Sequence, residues 1–289
     1  MTYVLGFKLR NKIKKKIPYK ILVLSQRVKR LFLSNYFRLR GFQILNSYSQ
    51  QLEDIYLFNE LSPPKRFLKD MYLVEVGALD GIRYSNTLML ENKFQLKTIL
   101  IEPEPKNYKK ILKNRPNSTC LNYAISRNEE LVKFMCGGAV GGISSKMSKE
   151  HKISFSSRFV KEIEILALPL SKVLIENEVK EIYLLSIDCE GGDLDVLKSI
   201  NFKEFFIHII LIEISHNKTE IEQLITANDF YLHRNLFGNQ IWVNNHSKLD
   251  SKAVKPSIPI AWKTHSLQSR FKKKSEEICS NFKQKNILF

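Results

Sequence analysis

Between residues 71 and 243 the chain alternates short apolar runs with segments of helical period. The runs 71–76, 96–101, 119–125, 182–187 and 207–214 are strand-length and rich in branched side chains, so they read as buried strands. Segments 84–94, 108–114, 173–179, 194–200 and 219–228 carry helical spacing between them. Shorter strand candidates at 131–135 and 163–168 flank a polar insertion that contains glycines. The runs 231–234 and 240–243, split by Phe237-Gly238-Asn239, read as a closing antiparallel hairpin. This order predicts an α/β fold with a mostly parallel, doubly wound sheet and helices on both faces.

Upstream, a helical wheel over residues 20–42 aligns Ile21, Leu24, Val28, Leu31, Phe32, Leu39 and Phe42. Arg27, Lys29, Arg30, Arg38 and Arg40 fall on the other arc, and Leu22, Val23, Leu33 and Phe37 lie off the stripe. Two readings are open: a helix packed on the domain, or a peripheral attachment of residues 1–42 to an anionic membrane. Ser62-Pro63-Pro64 marks a break. The expected organisation is a basic amphipathic extension (1–65), a central domain (66–245) and a basic C-terminal extension (246–289).

Charge sharpens that division. The chain carries +17, yet residues 1–40 hold 12 Lys/Arg and no acid, and 245–289 hold 10 Lys/Arg against three acids. The middle, 53–244, has 24 basic and 26 acidic residues. A near-neutral core speaks against a surface that grips a phosphate backbone, so no specific nucleic-acid partner is expected. Cys120, Cys136, Cys189 and Cys279 form no CxxC pair and read as reduced thiols, without a zinc site. No run of 18 apolar residues and no cleavable leader pattern occurs, so the expected location is cytoplasmic, with membrane association left open.

Candidate chemistry gathers at strand ends. The first strand leads into Glu75-Val76-Gly77-Ala78-Leu79-Asp80-Gly81, where a nucleotide-like cofactor sits in doubly wound sheets. GxGxxG is absent; Glu75 and Asp80 suit a ligand with an ammonium group, while Gly77, Ala78 and Gly81 shape the turn. Glu102 ends the second strand at the spacing of a ribose-binding carboxylate. Together these point to an adenosine-containing ligand, with NAD and S-adenosylmethionine both open. Asp188 and Glu190 follow the 182–187 strand, and Glu213 and His216 the next, all at the edge where ligands bind. A carboxylate there can orient a hydroxyl and take its proton; His216 has the better intrinsic basicity for that role. The carboxylates are hard ligands for a divalent cation, though no spacing requires a metal. The glycine run 137–142 reads as a phosphate cradle or, more naturally, a loop beside the acceptor, followed by Lys146, Lys149, His151, Lys152 and Arg158.

Val74 to Gly81, Ser85-Asn86-Thr87, Leu90-Glu91 and Leu100-Ile101-Glu102-Pro103 resemble the FkbM-type methyltransferases, with a leaning to the Star-like branch. The likeness continues through Asn114-Arg115-Pro116, Ala124, Leu185 to Gly191, Asp193 and Val196-Leu197; Gly192 departs from the pattern. It covers about residues 70–245. The resemblance implies a Rossmann-like class I methyltransferase fold and S-adenosyl-L-methionine as methyl donor. The donor would be held by Glu75, Gly77, Ala78, Asp80, Gly81, Glu102, Ala124 and Asp188. It also implies O-methylation of a sugar, glycan or small-molecule hydroxyl, with Asp188, Glu190 and His216 as the catalytic candidates. Alternatives are a Star-like trafficking scaffold that keeps the fold, or a nucleic-acid methyltransferase.

Overall fold

The structure is a computed structural model that describes residues 19–250 except 44, 64–69, 215 and 237; the extreme tails lie outside the described residues. Eleven strands and eight α-helices follow one another over the described residues. The principal strands are β1 (Met71–Val76), β2 (Lys97–Ile101), β3 (Thr119–Leu121), β8 (Glu181–Ile187), β9 (Phe206–Glu213), β10 (Phe230–Leu236) and β11 (Asn239–Asn244). They form one sheet in the order β10-β11-β9-β8-β1-β2-β3. All its pairings are parallel except those of β11, which runs antiparallel to both neighbours and closes the sheet as the expected hairpin. The order reverses between β1 and β8, the switch point where open α/β sheets bind their ligands.

Both faces are covered, which is why the strands read as nearly continuous apolar runs. Val74, Val76, Ile99, Ile101, Leu185 and Ile187 face one layer. That layer includes α6 (Leu170–Glu176), α7 (Asp193–Lys198) and α8 (Lys218–Thr226). Met71, Leu73, Tyr183, Leu184, Ile209 and Leu211 face the other. There they meet α1 (Tyr19–Leu39), α2 (Glu53–Glu60) and α3 (Leu88–Phe94). Remaining helices are α4 (Pro105–Asn114), which starts at the end of β2, and α5 (Lys149–Ser154), inside the insertion.

Five features differ from the sequence reading. The run expected as one strand over 119–125 splits at Asn122-Tyr123 into β3 and β4 (Ala124–Ile125), which enter different sheets. β4, β7 (Lys161–Leu168), β5 (Glu130–Cys136) and β6 (Gly142–Ile143) build a second, four-stranded sheet that carries the insertion. Helix α2 lies within the segment expected as an extension, yet Ile55 to Phe58 belong to the core, as do Leu33, Phe37 and Phe42. Ser62 pairs with Asp250 through reciprocal backbone bonds of 2.8 Å, so the domain takes in chain on both sides of the expected boundaries. Finally, α1 packs through the off-stripe Leu33 and Phe37, while Val28, Leu31 and Leu39 of the stripe stay exposed.

Candidate active site

The β1 turn is built by backbone geometry. Gly77 has φ +88°, and a Cβ there would stand 2.0 Å from the Asp188 carbonyl oxygen, so only glycine lets the ends of β1 and β8 come this close. Gly77 and Ala78 donate their N–H groups to Ile101 O, and Asp188 donates to Val76 O, pinning the three strand ends together. Asp80 accepts from the N–H groups of Ile82 (3.1 Å) and Arg83 (2.7 Å), ordering the rest of the turn. Gly81 O accepts from Arg115 Nη1, and Ala78 packs on Leu100 and Ile111.

Glu75 lies beneath this turn, 3% exposed. Its oxygens accept from Ser85 Oγ (2.9 Å), Thr87 Oγ1 (2.6 Å) and Asn86 N (2.8 Å). Arg115, itself buried, links this group to Glu91. The residues Ser85-Asn86-Thr87, Glu91 and Arg115, on which the family resemblance partly rests, thus form one polar network. Burial pushes the Glu75 carboxyl up, against the pull of Thr87 and Arg115. In this arrangement Glu75 braces the turn from below, rather than facing an ammonium group across it.

Glu102 stands at the end of β2, also buried. One oxygen accepts from Leu79 N at 2.8 Å and the other from Glu104 N at 2.9 Å, with Asn107 Nδ2 at 3.4 Å. Burial raises its pKa to about 8, although these donors and Leu79 favour the charged form. A carboxylate offers about four lone-pair directions, so acceptor capacity remains for a ribose hydroxyl. Glu104 holds Gly137 N (3.1 Å) and Gly138 N (2.8 Å). The glycine run that could cradle a phosphate instead cradles a carboxylate of its own chain.

At the ends of β8 and β9, Asp188, Glu190 and Glu213 each place an oxygen within 4.8 Å of the others. Asp188 keeps one side open to solvent while protein atoms crowd the rest. Crowding first, then the charges of Glu213, Glu190 and Asp193, holds its carboxyl well above the usual range. The same causes, burial first and Glu213 next, raise Glu190 to about 8. Like charges this close cannot all ionise cheaply, so the cluster retains protons near neutrality or takes a hard cation. Asp193 accepts from Cys189 N (2.8 Å) and Gly191 N (3.2 Å), fixing the turn that carries Glu190. Gly191, at φ +111°, has the Lys146 carbonyl where a Cβ would sit, and Gly142 abuts Glu190. The insertion therefore lies directly over this turn.

The histidine at the cluster is His151, from α5. Its Nδ1 is 3.4 Å from Glu190 Oε2 and its Nε2 is 3.0 Å from Val140 O. A carbonyl only accepts, so Nε2 carries the proton and a neutral ring turns its Nδ1 lone pair to Glu190. The predicted His216 is instead an exposed loop residue after β9. Ala124 is buried in the core of the small sheet, where its side chain cannot face a ligand at the switch point. The insertion accounts for the placing of Ala124 and His151: it builds the second sheet that takes in β4, and it folds His151 back over β8. A histidine in a polar segment carries no local signal of that placement.

The strand order and the glycine turn at its switch point, with acidic groups at the ends of β2, β8 and β9, define a class: the Rossmann-like S-adenosylmethionine-dependent methyltransferases. The family follows from the sequence, because the Methyltransferase FkbM domain model matches residues 75–240, more than half of the chain. The chain belongs to that family.

Among solved structures, an FkbM methyltransferase from Methylobacillus flagellatus KT is similar at 14% identity and TM-score 0.39, with 75% of this chain and 59% of that one covered. The chain thus spans less than two thirds of that relative's length. M. capricolum TrmK, solved with S-adenosyl-homocysteine, is similar at 10% identity and TM-score 0.33, covering 68% of this chain and 69% of that one. A SAM-dependent methyltransferase from Aquifex aeolicus gives 12% and 0.33, covering 75% and 95%. No curated protein matches the chain significantly.

The residues present fit the class cofactor. The Gly77 turn, where a side chain would strike Asp188, leaves backbone for an adenosine to approach, and Glu102 retains hydroxyl-accepting capacity beside it.

Proposed function

We propose that the protein is an S-adenosylmethionine-dependent O-methyltransferase acting on a hydroxyl of a sugar, glycan or other small molecule. The observation that carries this reading is the Asp188–Glu190–Glu213 cluster, backed by His151, beside the Gly77 turn. S-adenosylmethionine, when bound, supplies an electrophilic methyl group on a sulfonium. Gly77, Ala78, Asp80, Gly81 and Glu102 would hold it on the β1–β2 side. Asp188 would orient the acceptor hydroxyl, holding its oxygen in line. Glu190, once deprotonated, would take the hydroxyl proton, and the Nδ1 lone pair of His151 would share it. The insertion covers the β8 turn beside Glu190, while Asp188 stays open to an incoming acceptor. The near-neutral charge over 53–244 favours an uncharged acceptor over a nucleic acid.

The test is transfer of a labelled methyl group across sugars, glycans, lipids and RNA. Transfer to a hydroxyl supports the reading; transfer to RNA or protein alone overturns it. One observation favours a second reading, a Star-like scaffold: Glu75 and Glu102 already spend oxygens on donors of their own chain. Calorimetry with S-adenosylhomocysteine separates the two, since a scaffold without a donor site gives no heat.

A further inference from the structure

The outward face of α1 has no use in methyl transfer. Val28, Leu31 and Leu39 are 57%, 65% and 82% exposed, on the side of the helix opposite the buried Leu33 and Phe37. Their spacings of three and eight residues put them on one stripe. Helical period sets Arg38 along one border of this stripe and Arg40, just past the end of the helix, along the other. The helix is fastened from behind: Arg30 donates to the carbonyls of Ser47 and Gln50, and Phe37 stacks on Phe42. The stripe is therefore held outward by the fold.

Beside the end of the helix, Arg38 and Lys93 line a polar groove of about 540 Å³ together with Asn46, Tyr48 and Asn92; no carboxylate borders it. Upstream, residues 1–18 add six Lys/Arg and no acid.

We infer that α1 lies in the plane of an anionic phospholipid surface, with the Val28–Leu31–Leu39 stripe in the acyl boundary and Arg38 and Lys93 on headgroup phosphates. An apolar stripe bordered by cations matches that surface in both chemistries. A second copy of the chain meets it less well, because a twofold contact through this face sets the same cations against each other. A nucleic acid would meet the cations and leave the stripe in water. The contact is peripheral, since among the described residues no helix is long and apolar enough to cross a membrane. This inference does not depend on the acceptor or on turnover.

The experiment uses the full chain and phosphatidylcholine vesicles with and without phosphatidylserine. Co-sedimentation should require phosphatidylserine and fall at high salt. Leu31→Glu with Leu39→Glu should weaken vesicle affinity at least tenfold. Arg38→Gln and Lys93→Gln should each weaken it about fivefold. All four positions are on the surface, and an unchanged thermal melt shows that the fold is intact. Unchanged affinity in the leucine variant overturns the inference, because the basic tails alone then carry binding. A wild-type dimer split by Leu31→Glu, with no vesicle binding, overturns it in favour of a second copy.

Discussion

The carbonyl oxygen of Asp188 occupies the place where Gly77 would carry a side chain. Two strand ends from opposite halves of the sheet meet there, one leading to the glycine turn and the other to the Asp188–Glu190–Glu213 cluster. Gly77→Ala must therefore separate β1 from β8 as well as strain a positive φ. Loss of about 3 kcal/mol or more in chemical denaturation is expected. Ala78→Gly, one residue away, should cost far less, because Ala78 loses only a small apolar contact.

In calorimetry above about pH 8, where Glu102 is ionised, Glu102→Ala should weaken binding of S-adenosylhomocysteine by about 1.5–3 kcal/mol, the range for hydrogen bonds to a charged group. Glu75→Gln should act differently. It disturbs the buried network with Ser85, Thr87 and Arg115, so its effect should appear in the melt before it appears in donor affinity. Equal effects of both variants on affinity, with no change in stability, would reverse these roles.

Stability should fall as pH rises across the neutral range. Glu102 has a pKa near 8 in the folded chain against an ordinary 4.5, so between those values the folded state keeps a proton that the unfolded state has lost. Raising pH through that window withdraws the proton at the expense of the fold. Glu190 adds to the same window and Asp193 to the lower part, up to about 6. Thermal midpoints should decline between about pH 5 and about pH 8.5, and Glu102→Gln should flatten the slope.

Turnover should run the other way. If Glu190 takes the acceptor proton, it must first lose its own, so the rate should climb with pH through about 8. Asp188→Asn and Glu190→Gln should lower single-turnover rates by about 10²–10⁴-fold while changing donor affinity little. His151→Ala should lower the rate and shift the pH limb, whereas His216→Ala should do neither. A silent His151 together with an impaired His216 would return the basic role to the loop histidine.

The strands were legible because burial on both faces leaves an unbroken apolar run, as in Ile209 to Ile212. Helix starts were less so. The expected helix from Tyr84 begins only at Leu88, since Tyr84 sits at φ 65° and Ser85, Asn86 and Thr87 are spent on Glu75. Helix α2 escaped notice because buried Glu53 and Asp54 look like surface residues until Asn239 and Ser47 supply their partners. Strand position was enough to put Asp188 and Glu190 at the end of β8, beside the switch point. His151 was not, because its meeting with Glu190 depends on the path of a whole second sheet.

The bond between Glu104 and the amides of Gly137 and Gly138 has a kinetic consequence. Glu102 and Glu104 sit two residues apart, the first gripping the donor turn and the second gripping the insertion above the acceptor carboxylates. Any ligand that draws Glu102 toward a ribose pulls on the same short segment that anchors the cover. Binding at one end of this segment should then be felt at the other, and initial-rate kinetics should show the donor entering first; random entry of the two substrates would mean that Glu102 and Glu104 act separately.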